Sequence, residues 1–359
     1  MTFDIEAAFR GFWPNAHIDG LKRLSAGRVN PTWKVAANNG FFVLQCINRQ
    51  IFQQPEHLEH NLQLVLRHFR QQAPLFRYPA YQVAVDGRLL FQDAHGEYWR
   101  LYPYIQPTYT VNQVDTIDRA QEAGRAFGSF LTTVAELPVE ALKTTISDFH
   151  NLAQRFKALD EVVRQDPFTR LANAQEALAF ARARYDYAAL FSELVASGRL
   201  LLQATHNDCK INNVLFDTST HQAVAVIDLD TLMPGYLLYD FGDLVRSGIF
   251  PQSEDALNFQ SETIRLDFFE GLSRGYIGSA TELFKPLKPD EIVFAGRYMA
   301  FMLGVRFLTD HLQGDVYFQT DLPDQNLRRA QLQFGIVSDM ESNTAQMINI
   351  VVDIMKISI

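Results

Sequence analysis

The side chains best able to do chemistry lie in two segments, THNDCKINNVLFD (residues 205–217) and VIDLD (residues 226–230). His206, Asp208 and Asn213 follow the order His-x-Asp-x4-Asn, and Asp228 stands in an apolar run beyond them. A carboxylate can remove the proton of a hydroxyl group, and carboxylate and amide oxygens are ligands that Mg²⁺ accepts. These residue types therefore indicate phosphoryl transfer to an alcohol, with Mg²⁺ neutralising the phosphate charge.

The polar residues of these two segments receive separate roles, and His206 is expected to hold the loop by hydrogen bonds rather than to act chemically. We predict that Asp208 is the catalytic base and that Lys210 contacts the transferred phosphoryl group. Asn213 and Asp228 are the predicted metal ligands, and Asp230 is predicted to join them because alternate residues of an extended chain face the same side. The alternative, a solvated surface turn, is disfavoured because a predicted β-hairpin separates the two segments.

The elements that must position these side chains change character along the chain. Short β-branched and aromatic runs predict strands at 21–24, 33–37, 41–47, 81–84, 89–92 and 98–104. Between them, apolar residues at helical spacing from Leu58 to Phe69 predict a helix that begins near Pro55. A small, mostly β N-terminal lobe is therefore expected, ending at a hinge near residues 102–107.

The rest of the chain is predicted to be mostly helical. Helical periodicity covers residues 120–134, 171–187, 187–197, 262–276, 291–312 and 339–355, with one β island at 211–227. We therefore predict two domains, an N-terminal nucleotide-binding lobe at 1–106 and a C-terminal catalytic and substrate-binding lobe at 107–359.

Several motifs together resemble a known family. The order His, Asp, Asn and then Asp beyond a hairpin is that of the protein-kinase catalytic loop. Across nearly its whole length the chain resembles the aminoglycoside phosphotransferase/choline kinase superfamily, and within it the N-acetylhexosamine 1-kinases. The motifs are FVLQCIN (42–48), THNDCKINN (205–213), IDLDTLMPG (227–235), YDFGD (239–243) and RFLTDHLQGDVYF (306–318). The last of them is the most particular to the sugar kinases.

The resemblance implies a fold, a reaction and two cofactors. The fold is an α+β, protein-kinase-like bilobal fold, and the cofactors are ATP and Mg²⁺. The reaction is phosphorylation of the anomeric hydroxyl of N-acetylglucosamine or N-acetylgalactosamine, to give the sugar 1-phosphate.

The resemblance also implies where the nucleotide binds. The positions concerned are Gly27 and Asn30 in the phosphate-covering loop, Gln45 on the third strand, and Ile105 at the hinge.

Kinases usually carry a lysine where Gln45 stands, and glutamine brings no charge to a phosphate, although the resemblance to the N-acetylhexosamine 1-kinases implies a glutamine there. Arg28 and Lys34 are candidate substitutes for that lysine, and the alternative for each is a solvated charge. Without that lysine, Glu56 and Glu59 of the following helix are expected to be solvated charges.

The acceptor is expected to bind in the helical lobe. The predicted substrate contacts are Arg306, Asp315 and Tyr317, because sugars are bound by planar polar groups and aromatic faces. Two alternatives stay open at this point: Arg306 forms a buried ion pair with Asp310 or Asp315, and His150 is a structural histidine.

The composition of the chain argues against nucleic acid and anionic membranes as binding partners. The chain has 359 residues, 32 basic and 41 acidic, and a net charge of −9, which gives no general attraction to nucleic acid or to an anionic membrane. It has two cysteines, and its N-terminal residues lack the blocks of a signal peptide. We expect a cytoplasmic monomer or weak dimer that binds a small-molecule substrate.

Two other functions remain open. One is a kinase of another small alcohol, such as an aminoglycoside, choline or homoserine. The other is a catalytically silent nucleotide-binding regulator, for which Gln45 is the only support.

Overall fold

The computed structural model describes residues 3–24, 29–38, 40–250 and 263–357. The predicted nucleotide contact Gly27 and the candidate substitute Arg28 lie outside these residues. The described chain forms a small antiparallel sheet followed by a larger helical part, so the prediction of an α+β bilobal kinase-like fold is confirmed.

Within the described residues the strands build three separate sheets. They are β1 (Ile18–Leu24), β2 (Thr32–Ala37), β3 (Gly40–Cys46), β4 (Phe91–Gln92), β5 (Tyr98–Pro103), β6 (Thr108–Tyr109), β7 (Gln203–Thr205), β8 (Val214–Asp217), β9 (Ala223–Val226) and β10 (Met233–Gly235). The N-terminal sheet has the order β1-β2-β3-β5-β4 with antiparallel pairing. In the helical part, β7 pairs with β10, and β6, β8 and β9 form a three-stranded sheet.

The helices occupy most of the rest. They are α1 (Ile5–Arg10), α2 (Pro55–Gln72), α3 (Ile117–Val134), α4 (Leu152–Gln165), α5 (Gln175–Arg182), α6 (Asp186–Ala196), α7 (Leu237–Gly248), α8 (Leu266–Ser279), α9 (Thr281–Phe284), α10 (Pro289–Leu312), α11 (Gln325–Ser342) and α12 (Thr344–Ile357). Of the helices described, α10 is long and apolar enough to cross a membrane, but 83% of its most apolar 18-residue window is buried inside the protein.

Helix α1 and aromatic side chains close one face of the N-terminal sheet. Phe9 of α1 is fully buried and meets Trp13 and Phe42 edge to face. Trp33 of β2 and Trp99 of β5 lie 5.7 Å apart in the same cluster. Large aromatic surfaces supply much of the driving force for so small a lobe.

Helix α2 belongs to the other, larger core. Its apolar face packs with α3 and the helical lobe, and polar side chains on the same helix bond backbone carbonyls of that lobe. The His57, His60 and His68 rings lie 2.9, 2.8 and 2.7 Å from the carbonyl oxygens of Thr144, Ala141 and Thr133. Asn61 donates to the carbonyls of Lys143 and Leu232 at 2.7 and 2.9 Å. Sequence order places α2 among the strands, and these bonds tie it to the helical part of the chain as well.

Some predicted elements differ from those observed. Residues 81–84 form no strand, and only Phe91–Gln92 of the run 89–92 does. Glu59 of α2 accepts the N–H groups of Leu89 and Leu90, which a strand would have given to a neighbouring strand. The predicted helix 171–187 is a 3₁₀ turn and α5, and 339–355 covers the end of α11 and most of α12.

Close packing of α3 against α8 depends on glycine. A Cβ atom on Gly275 would collide with the carbonyl oxygen of Gln121, and one on Gly124 with that of Leu272. We expect Gly275→Ala to lower the free energy of unfolding by about 1–3 kcal/mol, because backbone cannot yield as a side chain can. Urea denaturation followed by circular dichroism measures the change.

Gly278 of α8 provides the matched control. A Cβ atom there has nothing within 4 Å. Gly278→Ala should therefore leave stability unchanged or raise it by about 0.5–1 kcal/mol. Equal effects of the two substitutions would contradict this account of the α3–α8 contact.

Candidate active site

The loop that carries the predicted catalytic residues, 206–213, is framed by two pairs of strands and is called the catalytic loop below. It leaves β7 and enters β8, while β9 leads to the segment 227–232, which returns to β7 through β10. A Cβ atom at Gly235 of β10 would collide with Thr205 and Asn207. Glycine at this position therefore lets β10 close on the start of the loop.

Buried polar groups hold the loop in one conformation. The Asp240 carboxylate of α7 accepts the backbone N–H groups of His206 and Asn207 at 2.9 and 2.7 Å. The His206 ring lies 2.9 Å from the carbonyl oxygen of Ile227, so it ties the loop to the segment after β9. Burial raises the pKa of Asp240 to about 6, against the opposing effects of His206 and the two backbone hydrogen bonds.

Asp208 lies at the centre of the loop with its carboxylate oriented by two neighbours. Its Oδ1 is 3.1 Å from the Lys210 ammonium, and its Oδ2 accepts the Asn213 side-chain N–H at 3.0 Å. Burial raises the pKa of Asp208, but Lys210, His206 and these hydrogen bonds outweigh burial and hold the pKa below its usual range. The group is therefore an ionised carboxylate, as a proton acceptor must be.

Asp228 and Asn213 offer oxygen atoms suited to a divalent cation. Asp228 has a φ of 64°, which turns the chain out of the hairpin, and no described residue bonds its carboxylate. Burial and the neighbouring carboxylates of Asp230 and Asp208 raise its pKa to about 7. Asn213 directs its amide nitrogen to Asp208, which leaves its Oδ1 for a metal.

The donor set fits Mg²⁺ rather than a metal bound mainly by protein. Among the described residues, no group of three or more His, Cys, Asp or Glu side chains could hold a metal ion. Mg²⁺ commonly takes one or two carboxylates and fills its octahedron with water and substrate phosphates. Asp228 and Asn213 fit that pattern, and a cation between them would offset the repulsion among the carboxylates.

Asp230 lies beside this pair but has protein partners on both oxygens. The Arg100 guanidinium of β5 forms a bidentate ion pair with Asp230, in which Nη1 bonds Oδ1 and Nη2 lies 3.0 Å from Oδ2. Asn30 donates to the same Oδ2. Metal binding by Asp230 stays a prediction, and the structure adds an ion pair that joins the N-terminal sheet to the catalytic segment.

Three predicted nucleotide contacts are described. Asn30 bonds Asp230 and accepts the backbone N–H of Asn48 at 2.9 Å. Gln45 accepts from Arg100 at 2.8 Å and donates to Thr32 at 2.9 Å. Asn30 and Gln45 therefore meet around the Arg100–Asp230 pair.

Ile105 stands apart from that cluster, at the link between the lobes. Its carbonyl accepts from the Thr108 hydroxyl, and the link continues through a cis Gln106–Pro107 bond. A nucleotide contact by Ile105 stays a prediction.

Glu59 corrects one prediction on this side of the site. Its carboxylate is buried, rather than solvated, and bonds Arg88 through Nε and Nη2 at 3.0 and 2.6 Å. A buried carboxylate needs such partners. Glu59 therefore serves the packing of α2 against residues 88–90.

Arg306 of α10 lies in a cage of aromatic rings. Its guanidinium carbon is 5.1 Å from the centroid of Phe149 and 5.3 Å from those of Tyr317 and Phe318. Within the described part of the chain the guanidinium makes no hydrogen bond or ion pair, so the alternative of a pair with Asp310 or Asp315 is not realised. The rings hold the group by cation–π attraction and leave its donors for another partner.

Asp310 instead shapes the turn that carries Tyr317. It accepts the backbone N–H groups of Val316, Tyr317 and Phe318 at 3.0, 2.7 and 2.9 Å. Tyr317 keeps 46% of its surface exposed, so its ring face is accessible beside Arg306.

Asp315 is also held by protein groups. It pairs with Arg170 and accepts from Asn326 at 2.9 Å, and it follows Gly314, whose φ is 92°. Substrate contact by Asp315 stays a prediction, and its observed bonds stabilise the turn.

His150 connects the acceptor side to the catalytic loop. Its Nε2 is 2.8 Å from the carbonyl oxygen of Asn207, so Nε2 carries the proton and Nδ1 is an acceptor. Nδ1 is buried without a partner among the described atoms. Its ring lies 4.3 Å from that of Phe149, which in turn lies under Arg306. His150 therefore makes a structural hydrogen bond through Nε2 and keeps at Nδ1 an acceptor that no described atom uses.

Two arginines near the site were missed by the sequence reasoning. Arg100 interrupts the apolar strand β5, which is a visible signal, but its partner on β3 could not be assigned without the register. Arg155 bonds the carbonyls of Asp148 and Phe149 at 2.9 and 3.1 Å, while its Nε is buried and unpartnered. Burial and the charge of Arg306 lower its pKa to about 10.

Comparison with known families agrees with this geometry. The model of the phosphotransferase enzyme family matches residues 20–275, more than half of the chain. The chain therefore belongs to this family and is a small-molecule phosphotransferase, within the aminoglycoside phosphotransferase/choline kinase superfamily.

Solved structures share the fold. A microcompartment-associated aminopropanol kinase is similar over 95% of this chain and 96% of its own, with a TM-score of 0.63 and 18% identity. The GDP complex of aminoglycoside 2'-phosphotransferase-IIIa has a TM-score of 0.60 and 16% identity, and the match covers 92% of this chain and 97% of its own. A choline kinase from Streptococcus pneumoniae has a TM-score of 0.52 and 12% identity, and the match covers 90% of this chain and 94% of its own. At such identities the likeness establishes the fold alone.

The environment of His150 predicts a pH dependence of stability. Burial and the charges of Arg306 and Arg155 lower its pKa to about 3, against the bond to Asn207 and the charge of Asp208. In the unfolded chain the histidine is protonated below about pH 6.5, whereas the ring in the folded protein stays neutral down to about pH 3. The free energy of unfolding therefore falls as the pH falls through this range. From pH 7 to 5 this group should cost about 2 kcal/mol.

The measurement compares urea unfolding of wild type and His150→Gln at both pH values. The variant should lose about 2 kcal/mol less than wild type on acidification. His95→Gln, at an exposed turn, is the control and should follow wild type. Equal losses of unfolding free energy in wild type and His150→Gln would contradict the inference that the buried His150 ring stays neutral.

Proposed function

We propose that the protein transfers the γ-phosphoryl group of ATP to the anomeric hydroxyl of N-acetylhexosamines, giving the sugar 1-phosphate and ADP. The observation that carries the proposal is the Arg306 cage, with unused donors and an exposed tyrosine face, joined through Phe149 and His150 to the loop of Asp208. The motif RFLTDHLQGDVYF, which resembles the sugar kinases, contains Arg306 and Tyr317.

The reaction assigns one step to each catalytic side chain. Asp208 accepts the proton of the anomeric hydroxyl while that oxygen forms a bond to the γ-phosphorus. The bond from phosphorus to the β,γ-bridging oxygen breaks, and ADP leaves with the electron pair. Lys210, 3.1 Å from Asp208, is placed to balance charge on the transferred group.

Mg²⁺ would be held by Asp228 and Asn213, whose oxygen atoms are unused by the described protein groups. When bound it neutralises the phosphate charge that develops during transfer. A nucleoside triphosphate donor is supported by the family and by the GDP complex among the similar structures, and ATP is the donor that the resemblance implies.

The acceptor side is suited to a neutral, hydroxyl-rich ligand. Arg306 can donate to sugar hydroxyls or to the acetamide carbonyl, and the lone pair of His150 Nδ1 can accept from a hydroxyl. The exposed face of Tyr317 offers a surface for the sugar ring.

Cationic acceptors are disfavoured by the same geometry. Aminoglycosides, choline and aminopropanol carry positive charge, and Arg306 and Arg155 bring two positive charges to this side of the site. Like charges at short range cost binding free energy. A similar aminopropanol kinase therefore supports the fold and the phosphoryl transfer, but not its acceptor, for this chain.

A cytoplasmic location accords with this chemistry. ATP is the proposed donor, and Cys46 and Cys209 are free thiols.

The reaction product tests the proposal. With MgATP and N-acetylglucosamine or N-acetylgalactosamine, ³¹P NMR should show a phosphate coupled to the anomeric proton. Asp208→Asn should bind MgATP as wild type does but lose at least about 10²-fold in kcat, since general-base catalysis contributes that much. Phosphate on another hydroxyl, turnover of cationic alcohols only, or an active Asp208→Asn enzyme would refute it.

Arg306 provides a separate test of the acceptor site. Arg306→Met should raise the KM for the sugar about 10–100-fold, which corresponds to losing a charge-assisted hydrogen bond, and leave the KM for MgATP within about twofold. Arg297→Met is the matched control, since Arg297 lies on the same helix over the ring of Phe294 at 5.6 Å. An unchanged sugar KM in Arg306→Met would exclude Arg306 as an acceptor contact.

A further inference from the structure

The missing lysine on β3 has a candidate replacement one strand away. Gln45 of β3 stands directly opposite Arg100 of β5 in the antiparallel ladder. Residues directly opposite in such a pair extend from the same face of the sheet. Arg100 therefore leaves the sheet on the face from which a lysine at position 45 would extend.

Gln45 is built into the structure as a support for Arg100. Its Oε1 accepts the Arg100 Nε–H at 2.8 Å and the Tyr102 hydroxyl at 3.2 Å. Its Nε2 donates to the Thr32 hydroxyl at 2.9 Å, which fixes the direction of the amide. A lysine at position 45 would repel the guanidinium. The neutral Gln45 on β3 is therefore what allows the charged Arg100 to stand opposite it on β5.

The guanidinium lies at the junction of the sheet and the catalytic segment. It is 1% exposed and pairs with Asp230, two residues beyond Asp228. A cation at this position lies next to the segment of Asp228, which with Asn213 would hold the metal, so it would be near phosphates bound there.

The hydrogen-bond inventory leaves donors for a ligand. Arginine has five N–H groups. In the described structure, Nε serves Gln45 and each terminal nitrogen serves Asp230, which accounts for three of them. One N–H on each terminal nitrogen is left, and because these two bonds point to opposite sides of the guanidinium, each can serve a separate phosphate oxygen.

We propose that Arg100 binds the phosphates of the nucleoside triphosphate, with Gln45 and Asp230 as its positioning residues, in place of the lysine that kinases carry on the third strand. The proposal rests on the proposed function in one respect, that the phosphoryl donor is a nucleoside triphosphate. Glu59, which would partner such a lysine, is bonded to Arg88 instead, so Asp230 is the carboxylate that supports the cation here.

Binding measurements without an acceptor test this role. Isothermal titration of Arg100→Met should show the Kd for MgATP about 10–100-fold higher than in wild type, the loss expected for charge-assisted hydrogen bonds. The Kd for adenosine, which has no phosphates, should stay within about twofold. Arg88→Met, which removes another arginine paired with a buried carboxylate of the same lobe, should change neither constant.

Two further variants keep the test valid if Arg100→Met destabilises the lobe. Arg100→Met/Asp230→Asn removes the uncompensated carboxylate, and Gln45→Lys/Arg100→Met returns the charge to β3. The first should keep the weakened MgATP binding, and the second should recover a Kd within about fivefold of wild type.

The outcomes separate this inference from the proposed function. If a folded Arg100→Met/Asp230→Asn enzyme binds MgATP as wild type does, or if Gln45→Lys gives no recovery, the inference is overturned. If wild type binds no nucleoside triphosphate, the proposed function fails and the inference with it. If wild type binds MgATP but does not phosphorylate N-acetylhexosamines, only the acceptor assignment fails.

Discussion

Repulsion among carboxylates is the constraint around which this site is organised. The carboxylates of Asp208 and Asp230 both raise the pKa of Asp228, and the side chain of Asp230 is 3% exposed and that of Asp208 20%. Buried charges of one sign require compensation. Lys210 balances Asp208 and Arg100 balances Asp230, which leaves Asp228 as the carboxylate that a divalent cation would neutralise. Each positive group comes from a different element, so the charge balance of the site requires the sheet and the catalytic loop to be assembled together.

The surrounding scaffold serves that assembly. Asp240 holds the loop by its backbone, so the loop conformation does not depend on the side chains that react. Asp310 does the same for the turn of residues 316–318. In both places one buried carboxylate orders a run of N–H groups, and the functional side chains extend from backbone that is already fixed. Such prior ordering lowers the entropic cost of reaching a reactive geometry.

The sequence predicted what local patterns encode. Periodicity located β2, β3, α2 and α10, and the spacing of His206, Asp208 and Asn213 identified the candidate catalytic loop, whose role stays a prediction. It failed where a role depends on contacts between distant segments. Glu59 has the local sequence of a solvated helix residue, and only the approach of residues 88–90 buries it. Arg100 needed the register of β3 against β5, and the cage of Arg306 combines residue 149 with residues 317 and 318.

The position of α2 limits how the two parts of the chain can move against each other. Three histidine rings and Asn61 tie this helix to carbonyls at 133–144 and 232, and its apolar face is part of the large core. Glu59 of the same helix bonds the Arg88 guanidinium and the backbone N–H groups of Leu89 and Leu90, next to the five-stranded sheet. A rotation of the sheet away from the catalytic segment would therefore break buried hydrogen bonds on one side of α2, and this helix braces the two parts against such a movement.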